Sequence, residues 1–226
     1  MTESLTTNAK IAETRAELLD AAQKMVRTGL VAAVWGNVSA RVPGTNYVAV
    51  TPSGVEYETL TAEMLPVVDL ETEQVVDGKL KPTSELPLHL AIYRAREDVL
   101  GVMHTHSVYA SACSVAQKEI PPLIEDMAQV VGGSVSVAKY ALPGGPELAN
   151  HVIKALGKKG AVLMANHGVV GVGDTVAEAL RVCMIVEKGA QIFAIAKQIG
   201  NPVLLSHEDV EWLRDKYKHH YGQREL

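Results

Sequence analysis

The run Val99-Leu-Gly-Val-Met-His-Thr-His-Ser107 constrains this chain more than any other segment. A short, mostly apolar stretch with β-branched residues leads straight into His104-Thr105-His106. Such a stretch reads as a buried strand rather than a helix. Side chains at i and i+2 of a strand project to the same face. The fold must therefore set two imidazoles side by side at the end of a buried strand. That pair is half of a metal site, and other parts of the chain have to supply the rest.

His167 meets that need. It follows a second apolar strand, Ala161–Met164, and lies between Asn166 and Gly168. Three neutral imidazoles leave the fourth position of a tetrahedral metal open, which is the pattern of a catalytic site. A closed structural site would be Cys-rich. The two cysteines, Cys113 and Cys183, sit among apolar residues away from the histidine motifs and read as reduced core thiols. His89 falls inside a predicted helix and reads as core or as a residue behind the site. His151, His207, His219 and His220 read as structural or solvated.

The 226 residues, 47% hydrophobic and 21% charged, suit one folded domain spanning residues 1–226, with no shift of composition to divide it. Aromatic residues make up only 4%, so the core must be built from Ala, Val, Leu, Ile and Met. Helical spacing of apolar residues predicts helices over 9–29, 84–96, 108–116, 147–156, 174–200 and 207–221. Strands are expected at 36–42, 47–51, 65–69, 75–76, 99–103, 134–138 and 161–164, with 169–172 continuing the last across a bend. Ser84 and Asp174 are the expected caps of their helices. The class is α/β, a three-layer fold with a mainly antiparallel central sheet flanked by helices. A net charge of −5 without a basic tract argues against nucleic acid as a partner. No stretch reaches transmembrane length and the N-terminus lacks an apolar run, so a cytoplasmic protein with no membrane partner is expected.

Lys81-Pro-Thr-Ser-Glu-Leu-Pro-Leu-His89 places Glu85 in the first turn of a helix behind two hydroxyls. Glu85 there complements the helix dipole. Alternatively, Thr83, Ser84 and free backbone N–H groups form an anion site, with Glu85 aimed at the metal. The segment alone leaves both readings open. The turns at Gly36-Asn37 and Ser53-Gly54 permit close backbone approach but match no nucleotide-binding fingerprint.

Taken together, Gly36-Asn37-Val38-Ser39, Thr51-Pro52-Ser53-Gly54, Pro82-Thr83-Ser84-Glu85, His104-Thr105-His106 and Asn166-His167-Gly168 resemble, in order, the motifs of the class II aldolase/adducin-like family. The likeness runs from Gly29 to Tyr221 and is nearest to the fuculose-phosphate aldolases. It implies a Zn²⁺ ion, one per subunit, on His104, His106 and His167, with Glu85 as a further ligand at rest and the base once substrate displaces it. It implies a substrate-phosphate pocket of Asn37, Ser53, Gly54, Thr83 and Ser84, and Tyr221 as a C-terminal proton donor. It also implies a homotetramer with interfacial sites. The implied reaction is cleavage of a ketose 1-phosphate, such as L-fuculose 1-phosphate or a deoxy- or methylthio-ribulose 1-phosphate. The products would be dihydroxyacetone phosphate and an aldehyde. Other divalent transition metals suit the same donors.

The chain also departs from the family's patterns. The 4-epimerases carry Asp at the Glu85 position and a further Asp at a spacing that here reaches Gln129. Asp126 lies nearby. The methylthioribulose-phosphate dehydratases lack the carboxylate and carry an acidic residue before Met, as in Glu125-Asp126-Met127. Decarboxylases of sugar-acid phosphates share the zinc pair. The aromatics of the fuculose-phosphate aldehyde pocket have no match at Ile124-Glu125-Asp126 or Leu142-Pro143. Adducin-type scaffolds lack a catalytic site, whereas all three histidines and Glu85 are present here.

Overall fold

Strand alternation sorts the apolar residues into cores on opposite faces of one sheet. Val102 and Met103 are neighbours in sequence but belong to different cores, as do Val162 and Leu163. The structure, a computed structural model, describes residues 2–222. Its eight strands are β1 (Asn37–Arg41), β2 (Tyr47–Val50), β3 (Val67–Asp69), β4 (Val75–Asp77), β5 (Gly101–Thr105), β6 (Val137–Ala138), β7 (Ala161–Met164) and β8 (Gly168–Gly173). They lie in the order β4-β3-β2-β1-β5-β8-β7-β6. Every pairing is antiparallel except β6 with β7. The α/β, three-layer, mainly antiparallel expectation agrees with this sheet.

The helices are α1 (Thr2–Arg27), α2 (Leu86–Ala95), α3 (Val108–Val115), α4 (Glu125–Val131), α5 (Pro146–Leu156), α6 (Val176–Ile199) and α7 (His207–His220). On one face, Leu18 and Met25 of α1 and Leu180 and Cys183 of α6 meet Val38, Ala49 and Met103. On the other face, Leu88 and Ile92 of α2 and Leu148 and Val152 of α5 meet Val102, Val162 and Val170. Each fully buried aliphatic side chain contributes on the order of 1.5–3 kcal/mol. Helix α6 lies close against the sheet because the strands beneath it carry glycine. A Cβ on Gly101 would lie 2.5 Å from Val176 Cα, and one on Gly173 would lie 2.6 Å from Glu178 Cβ. Among the described residues, no helix is long and apolar enough to cross a membrane.

Four local expectations are corrected. Residues 169–172 do not continue β7 across a bend. They belong to β8, which folds back antiparallel on β7 through a tight turn at Ala165-Asn166-His167. Asn166 takes the left-handed conformation there, φ 55°, which suits a three-residue hairpin. Ser84 does not cap α2: Glu85 holds the cap position, without a side-chain bond. Thr175, not Asp174, caps α6, accepting from the Glu178 N–H. Helix α4 was not anticipated, because its seven residues are too few for a clear period.

Candidate metal centre and active site

Strand β5 occupies the middle of the sheet, between β1 and β8. It runs to Thr105, so His104 is a strand residue, and Asn37 and Val170 lie opposite it. His104 is completely buried and sits on the face that carries α2. His106 follows the strand's end, and the β7–β8 turn delivers His167. One side-chain nitrogen from each of the three lies within 4.8 Å of the others. His104 Nε2 and His106 Nε2 lie 2.8 Å apart.

Gly168 makes this convergence possible. A Cβ there would meet His106 Cδ2 at 3.0 Å and His104 Cε1 at 3.2 Å, and would overlap the Thr105 carbonyl oxygen. Gly36, with φ +93°, does the same below: a Cβ would lie 2.9 Å from the His104 carbonyl oxygen.

The tautomer of His104 is set by its backbone neighbour. Nδ1 lies 3.0 Å from the Val169 carbonyl oxygen, which only accepts, so Nδ1 carries the hydrogen and Nε2 presents its lone pair. Burial pushes the pKa of His104 down to about 3, against the opposing pull of Glu85. Burial and the His167 ring likewise lower His106. His104 and His106 are thus held in the uncharged form that ligates metals.

Glu85 completes the cluster. Its Oε2 lies 3.2 Å from His104 Nε2, and its Oε1 lies 3.5 Å from His167 Nε2. Burial raises the pKa of this carboxyl. The neighbouring His104, the Asn37 amide, His167 and His89 together outweigh burial and hold it below the usual carboxylate range. Oε1 is buried without a hydrogen-bond partner, as is His167 Nδ1. Three imidazole nitrogens with an anionic oxygen beside them are a donor set that fits a divalent transition metal.

Residues expected at a phosphate pocket lie partly together. The segments carrying Ser53-Gly54 and Thr83-Ser84 are tied by a bridge between Pro52 and Pro82. Ser53 N–H donates to the Lys81 carbonyl, and Thr83 N–H donates to the Thr51 carbonyl. Ser53, Gly54 and Ser84 are exposed and Thr83 is buried. Asn37 is different, because its amide is turned inward to Glu85 Oε2 and His89 Nε2.

Tyr221 is not brought to the histidines within one chain. It lines a cavity of about 580 Å³ together with Gly173, Arg96 and Arg214. Gly173 pairs with Gly101 at the far end of β5 from His104. Asp126 on α4 pairs with Lys188 at 2.5 Å. Both cysteines are free and buried. Sequence reasoning left the role of His89 open, although its spacing of four from Glu85 was a signal that the two share a helix stripe.

The model of the class II aldolase and adducin N-terminal domain matches residues 16–194. A 5-deoxy-D-ribulose 1-phosphate aldolase of Bacillus thuringiensis serovar kurstaki is 35% identical over 210 residues, 93% of this chain and 97% of that protein. An L-fuculose phosphate aldolase of Escherichia coli K12 is 34% identical over 209 residues, 92% of this chain and 95% of the other. A solved L-fuculose 1-phosphate aldolase superposes with a TM-score of 0.87 at 33% identity, covering 91% of this chain and 96% of its own.

Proposed function

Because this chain belongs to the class II aldolase and adducin family, we propose that it is a zinc-dependent aldolase of a ketose 1-phosphate, releasing dihydroxyacetone phosphate and a short aldehyde. One observation carries the reading: a buried carboxylate with an unpartnered oxygen, Glu85 Oε1, stands against a cluster of three imidazoles. An adducin-type scaffold has no use for that arrangement.

His104, His106 and His167 would hold the ion, which supplies Lewis-acid stabilisation of charge developing on the substrate's oxygens. The chain's own groups do the rest. In cleavage, the C4 hydroxyl loses its proton as the C3–C4 bond breaks and the aldehyde departs. The electron pair of that bond moves towards the C2 oxygen. Glu85, through Oε1, returns a proton to C3, and in synthesis it removes one. Exposed Ser53, Gly54 and Ser84, with Thr83, receive the phosphate through hydroxyls and backbone N–H groups. Asn37 contributes less to that pocket than the motif implies, since its amide already serves Glu85 and His89.

We assign the C4 hydroxyl proton to Tyr221 of a neighbouring subunit in a homotetramer. Support comes from its position at the opposite end of the central strands from its own chain's histidines, and from its 64% exposure.

The test is an assay of the zinc-loaded protein on the 1-phosphates of L-fuculose, L-rhamnulose, 5-deoxyribulose and methylthioribulose, with dihydroxyacetone phosphate as the detected product. Release of that triose phosphate is expected from at least one, and the ranking reads the aldehyde pocket. Conversion of L-ribulose 5-phosphate, or loss of water from methylthioribulose 1-phosphate, without triose phosphate would overturn the reaction assigned here.

A further inference from the structure

Helix α2 and the cap before it carry Glu85, His89 and Tyr93 at intervals of four. Strand β1 carries Asn37, Ser39 and Arg41 at intervals of two. Four residues of helix and two of strand both advance the chain by about 6–7 Å. The two rows therefore mesh like teeth, and the contacts confirm it. Asn37 Nδ2 donates to Glu85 Oε2 at 2.8 Å. His89 Nε2 lies 2.5 Å from Asn37 Oδ1, and His89 Nδ1 lies 2.6 Å from Ser39 Oγ. Ser39 Oγ lies 2.9 Å from the Tyr93 hydroxyl. Arg41 donates to the Tyr93 carbonyl and covers its ring. Ser39 and His89 are fully buried, and Tyr93, Asn37 and Glu85 nearly so.

The order of donors in this row has one solution. An ionised carboxylate only accepts, so the Asn37 NH₂ faces Glu85 and its carbonyl faces His89. His89 Nε2 must then carry the hydrogen. The ring is fully buried, and its two nitrogens face an amide and a hydroxyl with no carboxylate on either, so it is neutral and Nδ1 is bare. Ser39 gives its single hydrogen to Nδ1, and the Tyr93 O–H donates to Ser39. Every hydrogen in the row points towards Glu85. The opposite order would set the Asn37 carbonyl against a carboxylate, at the cost of an unmet buried group.

The row ends on one carboxylate oxygen and leaves the other alone. Oε2 is held by Asn37, whereas Oε1 has no partner and faces His167. We propose that His89 is a positioning residue. Its Nε2–H, fixed by Ser39 and Tyr93, aims the Asn37 amide so that Glu85 turns Oε1 to the reacting proton. The inference rests on the reading of Glu85 as the aldolase base, and two measurements separate the two. In ¹⁵N–¹H imidazole spectra of the full-length protein at pH 7, His89 is expected as the neutral Nε2–H tautomer, assigned by its loss in His89→Gln. The Nδ1–H tautomer would overturn the inference whether or not the protein is an aldolase.

The second measurement is exchange of the carbon-bound hydrogens of dihydroxyacetone phosphate with D₂O, catalysed by zinc-loaded protein. Exchange by His89→Leu should slow about 10–100-fold, the usual effect of losing a group that orients a ligand, with zinc content and triose-phosphate affinity unchanged. His89→Gln keeps a donor near the Nε2 position and should recover to within about threefold of wild type, taking the small end of that range. Equal loss in both variants, or equal loss of zinc, would make His89 merely structural and sink the inference. No exchange by the wild type would instead count against the aldolase reading, leaving the tautomer to decide the row.

Discussion

Gly168 passes so close to Thr105 that a β-carbon on Gly168 would overlap the Thr105 carbonyl oxygen. The same β-carbon would press on the rings of both His104 and His106. The absence of a side chain at this one position lets the β7–β8 turn bring His167 to the other two histidines.

Gly168→Ala should therefore cost about 1–3 kcal/mol of stability, the usual range for overpacking a tight site. It should also weaken metal retention. Urea denaturation and metal analysis after dialysis would read both effects, and a wild-type midpoint with full metal content would refute the assignment.

Glu85→Gln keeps the shape of the side chain and removes its charge. Turnover should fall about 10²–10⁴-fold, the usual contribution of a positioned acid–base group, while the three histidines keep their metal. His106→Ala should instead lose metal and turnover together. Stopped activity with metal present in the first variant, and absent in the second, separates proton transfer from metal binding. Near-normal turnover in Glu85→Gln would remove it as the base.

The buried histidines predict how stability responds to acid. His89 has a folded pKa of about 4 against an ordinary value of 6.5. Between those values the unfolded chain binds the proton and the folded one does not. Stability is thus complete above pH 6.5 and falls as pH drops towards 4, by up to about 1.4 kcal/mol per pH unit for one such group. His104 acts in the same direction. Metal-free His89→Gln should show a shallower decline than metal-free wild type in urea midpoints across this range. Superimposable profiles would mean that His89 titrates normally.

Tyr221→Phe should lower turnover about 100-fold, the lower end of what a proton donor contributes, with little change in KM. Since Tyr221 lies at the far end of β5 from its own histidines, mixed oligomers of Tyr221→Phe and Glu85→Gln chains should regain activity that neither parent has. Additive, unrecovered activity would place the tyrosine outside the reaction.

Much of this was legible from residue order. The strand period announced His104 and His106 as a pair, and the apolar run before Asn166-His167-Gly168 announced the third histidine of the cluster. The reversal of β8 was hidden because Asn166 carries no obligatory turn signal, although Asn tolerates the left-handed backbone it adopts. The caps of α2 and α6 were each misplaced by one residue: Asp174-Thr175 offers two capping side chains, and at α2 the cap position falls on Glu85, whose side chain makes no capping bond. The inward turn of the Asn37 amide could not be read from its motif. It depends on β1 lying beside α2, a contact between segments about fifty residues apart.

The meshed rows of α2 and β1 make the site a matter of phase. One residue inserted between Glu85 and His89 would rotate the carboxylate by about 100° around the helix axis and turn it away from Asn37. One inserted between Asn37 and Ser39 would send one of the two to the opposite face of the sheet. Point substitutions along these rows weaken single links, but a change of length puts every tooth out of step at once. This part of the chain can vary in spelling far more freely than in count.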